Sequence, residues 1–181
     1  MLYLDLDGVV ADFFNAALRW HGGMPLKPVW PRGEYGMSKP LGITEAEFVG
    51  PLRDPEFWSD VRPYPGAPDF VAGLRKHTPI TIATVLMVPD PRGVCAEAKR
   101  EWCQYWLGVG PRDVAVFQHW RQKVDRALTC HNKVVDDHYE TCDTIRCHGG
   151  QALLVPRPWN SMDPSLDFDT VDYSQLLRVL P

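Results

Sequence analysis

The chain has no excess of basic residues, no long apolar run and no closely paired cysteines, and each lack removes a class of protein. Its 19 Lys+Arg stand against 23 Asp+Glu, a formal charge of -4. Sequence-independent duplex binding needs a basic face that releases phosphate counterions, so duplex nucleic acid is a poor partner. An anionic small molecule stays open, because a few cations or a metal ion can focus positive potential locally. No stretch approaches the ~18 apolar residues of a membrane span. The start, Met1-Leu2-Tyr3-Leu4-Asp5, lacks the basic segment and cleavage site of an export signal. The expectation is a soluble protein of the cytoplasm, with no membrane partner; a bacterial or viral setting fits equally. Five cysteines are an odd number, and with no CxxC they read as reduced thiols. Cys130, His131, His138, Cys142, Cys147 and His148 crowd together, but without close Cys pairs they read as thiols and surface histidines rather than a zinc site.

What is present is an ordinary globular composition, 45% hydrophobic and 23% charged over 181 residues. That suits one domain with a modest insertion. Short apolar runs at 2–5, 80–84, 114–117, 133–136 and 152–155 read as strands. Helical patterns separate the later ones: Ala67, Phe70, Val71 and Leu74 share one face, 94–107 is amphipathic, and 173–180 forms a short terminal helix. Strands alternating with helices predict an α/β fold, a Rossmann-like three-layer sandwich around a central parallel sheet. The stretch 14–65 is too long for a simple crossover and is rich in Pro, Gly and Trp. It reads as a small, mainly helical cap inserted after the first strand, leaving 1–13 and 66–181 as the core. Pro89-Asp90-Pro91 opens the end of the second strand into a loop. In open α/β sheets ligands bind at that end of the strands.

The first strand runs into Asp5-Leu6-Asp7-Gly8-Val9-Val10, which puts two carboxylates on one side where the chain leaves the sheet. Gly8 permits a sharp turn there. Two close acids stay ionised only with a cation nearby, and Mg²⁺ suits carboxylate, phosphate and water ligands. Asp136-Asp137 ends another apolar strand and would extend the same metal site. A second Asp-x-Asp, Asp167-Phe168-Asp169, follows a Pro/Ser/Asp-rich loop without a turn glycine and reads as solvated surface.

Asp5-Leu6-Asp7-Gly8-Val9-Val10-Ala11-Asp12-Phe13 resembles the first motif of the haloacid dehalogenase superfamily, and specifically its 5'(3')-deoxyribonucleotidase branch. Later signals follow in the family's order: a strand ending in Thr84, a lysine, then Asp136-Asp137. Tyr64-Pro65-Gly66-Ala67 resembles the branch's return from cap to core, and Trp120-Arg121-Gln122-Lys123 its lysine segment. Lys123 and Lys133 compete for the lysine; Lys123 is preferred because Lys133 begins a strand, at the wrong end of the sheet. Thr84 is followed by Val85-Leu86-Met87, where the branch has a small polar residue and Pro.

The resemblance implies a Mg²⁺-dependent phosphomonoesterase acting on deoxynucleoside monophosphates. Asp5 would be the nucleophile that forms an aspartyl-phosphate. Asp7 would protonate the leaving alkoxide, then activate water, while its backbone carbonyl joins Asp5, Asp136 and Asp137 around the metal. Thr84 and Lys123 would bind the phosphoryl group, Phe13 would stack on a base, and Arg121 would reach the phosphate. Independently of the resemblance, Trp20, Trp30, Phe57 and Trp58 of the insertion either pack as the hydrophobic interior of the cap or line a base pocket, Trp58 being the one assigned to substrate. Another small phosphate such as a sugar phosphate is the nearest alternative, and a non-catalytic nucleotide-binding protein the next. Processing of single-stranded nucleic-acid ends along Arg32, Lys39 and Arg53 is a third. A homodimer is open on this reading.

Overall fold

The computed structural model describes residues 1–86, 90 and 92–179; the side chain of Val179 is left aside. The loop prolines Pro89 and Pro91, together with Met87 and Leu180, lie outside the described residues.

Five strands, β1 (Leu2–Leu4), β2 (Ile80–Val85), β3 (Val114–Phe117), β4 (Lys133–Asp136) and β5 (Ala152–Leu154), form one parallel sheet in the order β3-β2-β1-β4-β5. Each begins within a residue of its sequence-based position. A parallel strand covered on both faces carries apolar residues without alternation, and Leu2, Tyr3 and Leu4 are all buried. Leu2, Leu4, Ile82 and Val135 face one apolar cluster, Tyr3, Ala83 and Val134 the opposite one.

Helices close both faces. α1 (Phe13–Trp20), α5 (Ala67–Arg75) and α6 (Val94–Leu107) contribute to the first cluster; α7 (Trp120–Thr129) and α8 (Tyr139–Cys147) cover the second. The fold is a three-layer, Rossmann-like α/β sandwich. On α5 the buried residues are Ala67, Phe70, Val71 and Leu74, the stripe expected from the sequence. α6 starts after Asp90, whose carboxylate accepts from the amides of Val94 and Ala96, and stops at Gly108 in the left-handed region.

Between α1 and α5 the chain holds only short helices: α2 (Ser38–Leu41), α3 (Glu45–Val49), α4 (Pro55–Asp60) and the 3₁₀ turns Met24–Val29 and Pro51–Arg53. The Thr44/Glu47 capping box starts α3. This segment has no core of its own: Phe48, Val49, Leu52, Phe57 and Trp58 join the cluster that contains Leu4 and Ile82. The chain closes with a long loop and α9 (Tyr173–Val179); Tyr173 stacks on Phe70 and donates to the carbonyl of Val9. Among the described residues no helix is long and apolar enough to cross a membrane.

The topology positions the site. β1 connects toward β2 and β3 on one side, β4 toward β5 on the other, so the chain reverses direction between the adjacent strands β1 and β4. A crevice opens at such a reversal, beyond the strands' C-terminal ends.

Candidate active site

Register brings the acids together. Leu4 pairs with Val135, so the next residues, Asp5 and Asp136, lie side by side at the C-terminal end of the sheet, and the Asp5 amide still donates to the Val135 carbonyl at 2.9 Å. Lys133 pairs with Leu2, at the opposite edge, which excludes it from the site. After Asp5 the chain turns back: the amides of Val10 and Ala11 both donate to the Leu6 carbonyl. Gly8 sits at φ +76, and a Cβ there would stand 2.1 Å from Oδ2 of Asp137. Glycine is thus required twice, for the backbone angle and for the carboxylate that packs against it.

Asp5, Asp136 and Asp137 are buried and offer oxygens within 4.8 Å of one another. Among the described residues this is the convergent group of metal-capable side chains, and the cysteines and histidines of 130–148 form none. Lys123, buried on the inner face of α7, contacts Oδ1 of Asp5 and lies 2.7 Å from Oδ2 of Asp136. One ammonium among three acids leaves excess negative charge. Burial pushes the Asp5 carboxyl up to about 7 against the pull of Lys123, with Asp136 and Asp7 adding to the rise. Burial also lifts Asp137 well above the usual carboxylate range, helped by Asp5 and Asp136. Burial works against the Lys123 ammonium, but Asp136 and Asp5 outweigh it and hold its pKa above the ordinary lysine value. A hard, all-oxygen, electron-rich set of this kind fits a divalent cation.

Asp7 points elsewhere. Its carboxylate is not part of the trio, and the expectation drawn from the resemblance gives the metal only its backbone carbonyl. Oδ2 of Asp7 instead accepts from Lys99 at 2.7 Å, and Oδ1 is buried without a hydrogen-bond partner among the described residues. Lys99 lies on α6 among the buried residues Cys95, Trp102 and Cys103. Sequence reasoning missed it, although a lysine inside the apolar stripe of an amphipathic helix was the available signal.

A cavity of about 280 Å³ opens over these acids. Its lining includes the rings of Phe13, Phe14, Trp120, His138 and Trp159, with Tyr35 and Phe48 from the inserted segment. Phe13 therefore lies where expected, edge-on to Phe57 at 5.4 Å. Burial lowers the His138 pKa below the ordinary histidine value, against the pull of Asp136 and Glu140, and its Nδ1 lies 2.8 Å from the Thr141 hydroxyl. Trp159 was not foreseen. It is stacked on Phe14, lies under the Arg157 guanidinium, and donates its indole N–H to Oδ2 of Asp137 at 2.7 Å.

Several expected positions fall elsewhere. Trp58, Phe57 and Trp30 are buried in the core and do not line the cavity; apolar packing of a short-helix segment onto the sheet claims them. The Trp58 ring instead supports the Lys99 ammonium from 4.8 Å. Thr84 is fully buried and off the cavity wall, its hydroxyl oxygen accepting from Lys99 at 2.7 Å. Arg121 is exposed and lies over Trp120, a wall residue, without reaching the cavity itself. Arg32 and Lys39 are engaged, with the carbonyls of Leu166 and Pro164 and with Glu34, which breaks up the supposed basic path. Asp169 is exposed as expected yet ion-paired with Lys27.

Neither a known protein family nor a curated protein matches the chain in sequence comparison.

Proposed function

We propose that the protein is a Mg²⁺-dependent phosphomonoesterase of haloacid dehalogenase type, acting on small phosphate esters with a flat organic group, deoxynucleoside monophosphates foremost. The observation that carries this is the grouping of Lys123 with Asp5, Asp136 and Asp137 at the chain reversal, with Asp7 two residues after Asp5. A binding site has no use for a buried acid beside a lysine and a second acid on the same turn; phosphoryl transfer uses both.

Asp5 is the nucleophile. Its carboxylate oxygen attacks phosphorus, the bond to the ester oxygen breaks, and an aspartyl-phosphate forms. Asp7 gives its proton to the departing alkoxide, then takes one from the water that hydrolyses the acyl phosphate and regenerates Asp5. Lys123 holds the Asp5 rotamer and supplies positive charge to the transferring group. Asp5, Asp136 and Asp137 would hold Mg²⁺, which when bound would supply charge neutralisation for the phosphoryl group. The aromatic walls exclude water and take the organic group, and about 280 Å³ suits a mononucleotide-sized ester rather than a protein or a duplex.

The test is phosphate release from deoxy- and ribonucleoside monophosphates and sugar phosphates, with Mg²⁺ and with EDTA, for the wild type and Asp5→Asn. Metal-dependent turnover that Asp5→Asn abolishes, strongest on deoxynucleotides, supports the proposal. Activity confined to sugar phosphates overturns the substrate class, and turnover retained by Asp5→Asn overturns the mechanism.

A further inference from the structure

Lys99 is buried, charged and unused by the chemistry described above. Its ammonium has three protons, and each has a partner: Oδ2 of Asp7 at 2.7 Å, Oγ1 of Thr84 at 2.7 Å and the carbonyl of Val85 at 2.9 Å. The Trp58 ring covers it from 4.8 Å. An ammonium with all donors spent has none to offer a substrate. It also lies off the cavity surface, as Thr84 does, whereas Asp7 lines it.

The arrangement is directional. Val85 and Thr84 belong to β2, and Lys99 to α6, so two separate rigid elements grip one oxygen of a carboxylate carried on the turn after β1. Because the Thr84 oxygen already accepts from Lys99, its own hydroxyl proton is free to point at Asp7 Oδ2, 3.4 Å away. The Asp7 carboxylate, held by Lys99, stands outside the trio of Asp5, Asp136 and Asp137, while Asp5 and Asp136 both pair with the other lysine, Lys123. The site thus has two lysines, each assigned to different acids.

We infer that Lys99 is a positioning residue that, with Thr84, fixes the Asp7 carboxylate where it exchanges a proton with the leaving group, while Lys123 serves the nucleophile. This rests on the reading of Asp7 as the acid-base group. A lysine that merely filled the core would affect all substrates alike. One that positions a proton donor matters in proportion to how badly the leaving group needs a proton. An alkoxide departs poorly unless protonated; p-nitrophenolate departs unaided. The quantity to read is kcat/KM, which covers events up to departure of the leaving group and excludes the later hydrolysis of the acyl phosphate.

The experiment compares wild type, Lys99→Met, Asp7→Asn and the double variant on an alkyl phosphomonoester and on p-nitrophenyl phosphate, with Mg²⁺, after melting curves establish folding. Lys99→Met is expected to lower kcat/KM about 100-fold on the alkyl ester, within the range general acid catalysis supplies, and less than about threefold on the aryl ester. The double variant should be no worse on the alkyl ester than Asp7→Asn alone, since acids and positioners that act as a unit are not additive. Equal losses on both esters, or a loss confined to KM, would overturn the positioning role. Should Lys99→Met fail to fold, Lys99→Leu, which likewise carries no donor, is read the same way. If Asp7→Asn itself is active on the alkyl ester, the acid-base reading fails first; if Asp7→Asn is inactive there and Lys99→Met is not selective, only this inference falls.

Discussion

Trp159 donates its indole N–H to Oδ2 of Asp137 at 2.7 Å, reaching back 22 residues from the closing loop to the acid after β4. Asn160 adds a second tie, from its amide to the Asp137 carbonyl at 2.7 Å. Arg157, buried between Tyr64 and Trp159, anchors that loop through the carbonyls of Phe168 and Thr170. The acid is therefore oriented by a part of the chain far from the motif that contains it.

Trp159→Phe removes the hydrogen bond and keeps most of the ring. Outer partners of metal-binding carboxylates are worth roughly 10- to 100-fold in affinity. Titration of Mg²⁺ by calorimetry is expected to show a weakening of that order, with the metal-free protein destabilised by about 1–3 kcal/mol, since the variant leaves a buried carboxylate oxygen short of its donor. Unchanged Mg²⁺ affinity would remove Trp159 from the site's support.

The pH dependence of stability follows from the raised carboxyls. Asp5 rises from 3.8 to about 7 on folding, so between those values the folded protein holds more protons than the unfolded chain. Stability from this group is present in acid and is lost as pH rises through about 7. Asp137 acts in the same direction, and Lys123, raised above its ordinary value, does not change charge in this window. A divalent cation opposes the loss, so Mg²⁺ should raise the melting temperature more at pH 8 than at pH 5. Equal shifts at the two pH values, or a pH slope in Asp5→Asn as steep as that of the wild type, would contradict this account.

Gly8→Ala is expected to be among the most damaging small substitutions in the chain. It places a methyl group 2.1 Å from Asp137 Oδ2 and forces a non-glycine residue to φ +76. Turnover should fall with metal binding even where the fold survives, because Asp137 must move. A variant with wild-type Mg²⁺ affinity would show that the carboxylate does not need its observed place.

Phe13→Ala and Trp58→Ala separate a cavity wall from a core residue. Phe13 lines the cavity, and its loss should cost nucleotide turnover about 1–3 kcal/mol of stacking while sparing a small alkyl phosphate. Trp58 is buried under Lys99, and its loss should destabilise the fold by about 3–5 kcal/mol on all substrates alike. Melting curves and kcat/KM on both substrate types distinguish the two outcomes.

The sheet was legible because its information is local. Leu2-Tyr3-Leu4 and Lys133-Val134-Val135 are apolar runs followed by acids, and a strand's direction and the spacing of Asp5 and Asp7 need no distant residue. The order of the strands, and so the meeting of Asp5 with Asp136, came from register between segments more than 100 residues apart. Lys123 over Lys133 could be argued from which end of a strand each occupies, and β4 pairs as that argument required.

What tertiary structure alone decided is which side chains face which acid. Lys99 stands 92 residues from Asp7 and Trp159 sits on an irregular loop, so no periodicity or spacing links either to its partner. The resemblance points Thr84 at the phosphate and residue type points Trp58 at a base, yet packing places both behind the site. A strand end and an inserted aromatic can each face either a cavity or a core, and only the arrangement of the surrounding helices chooses.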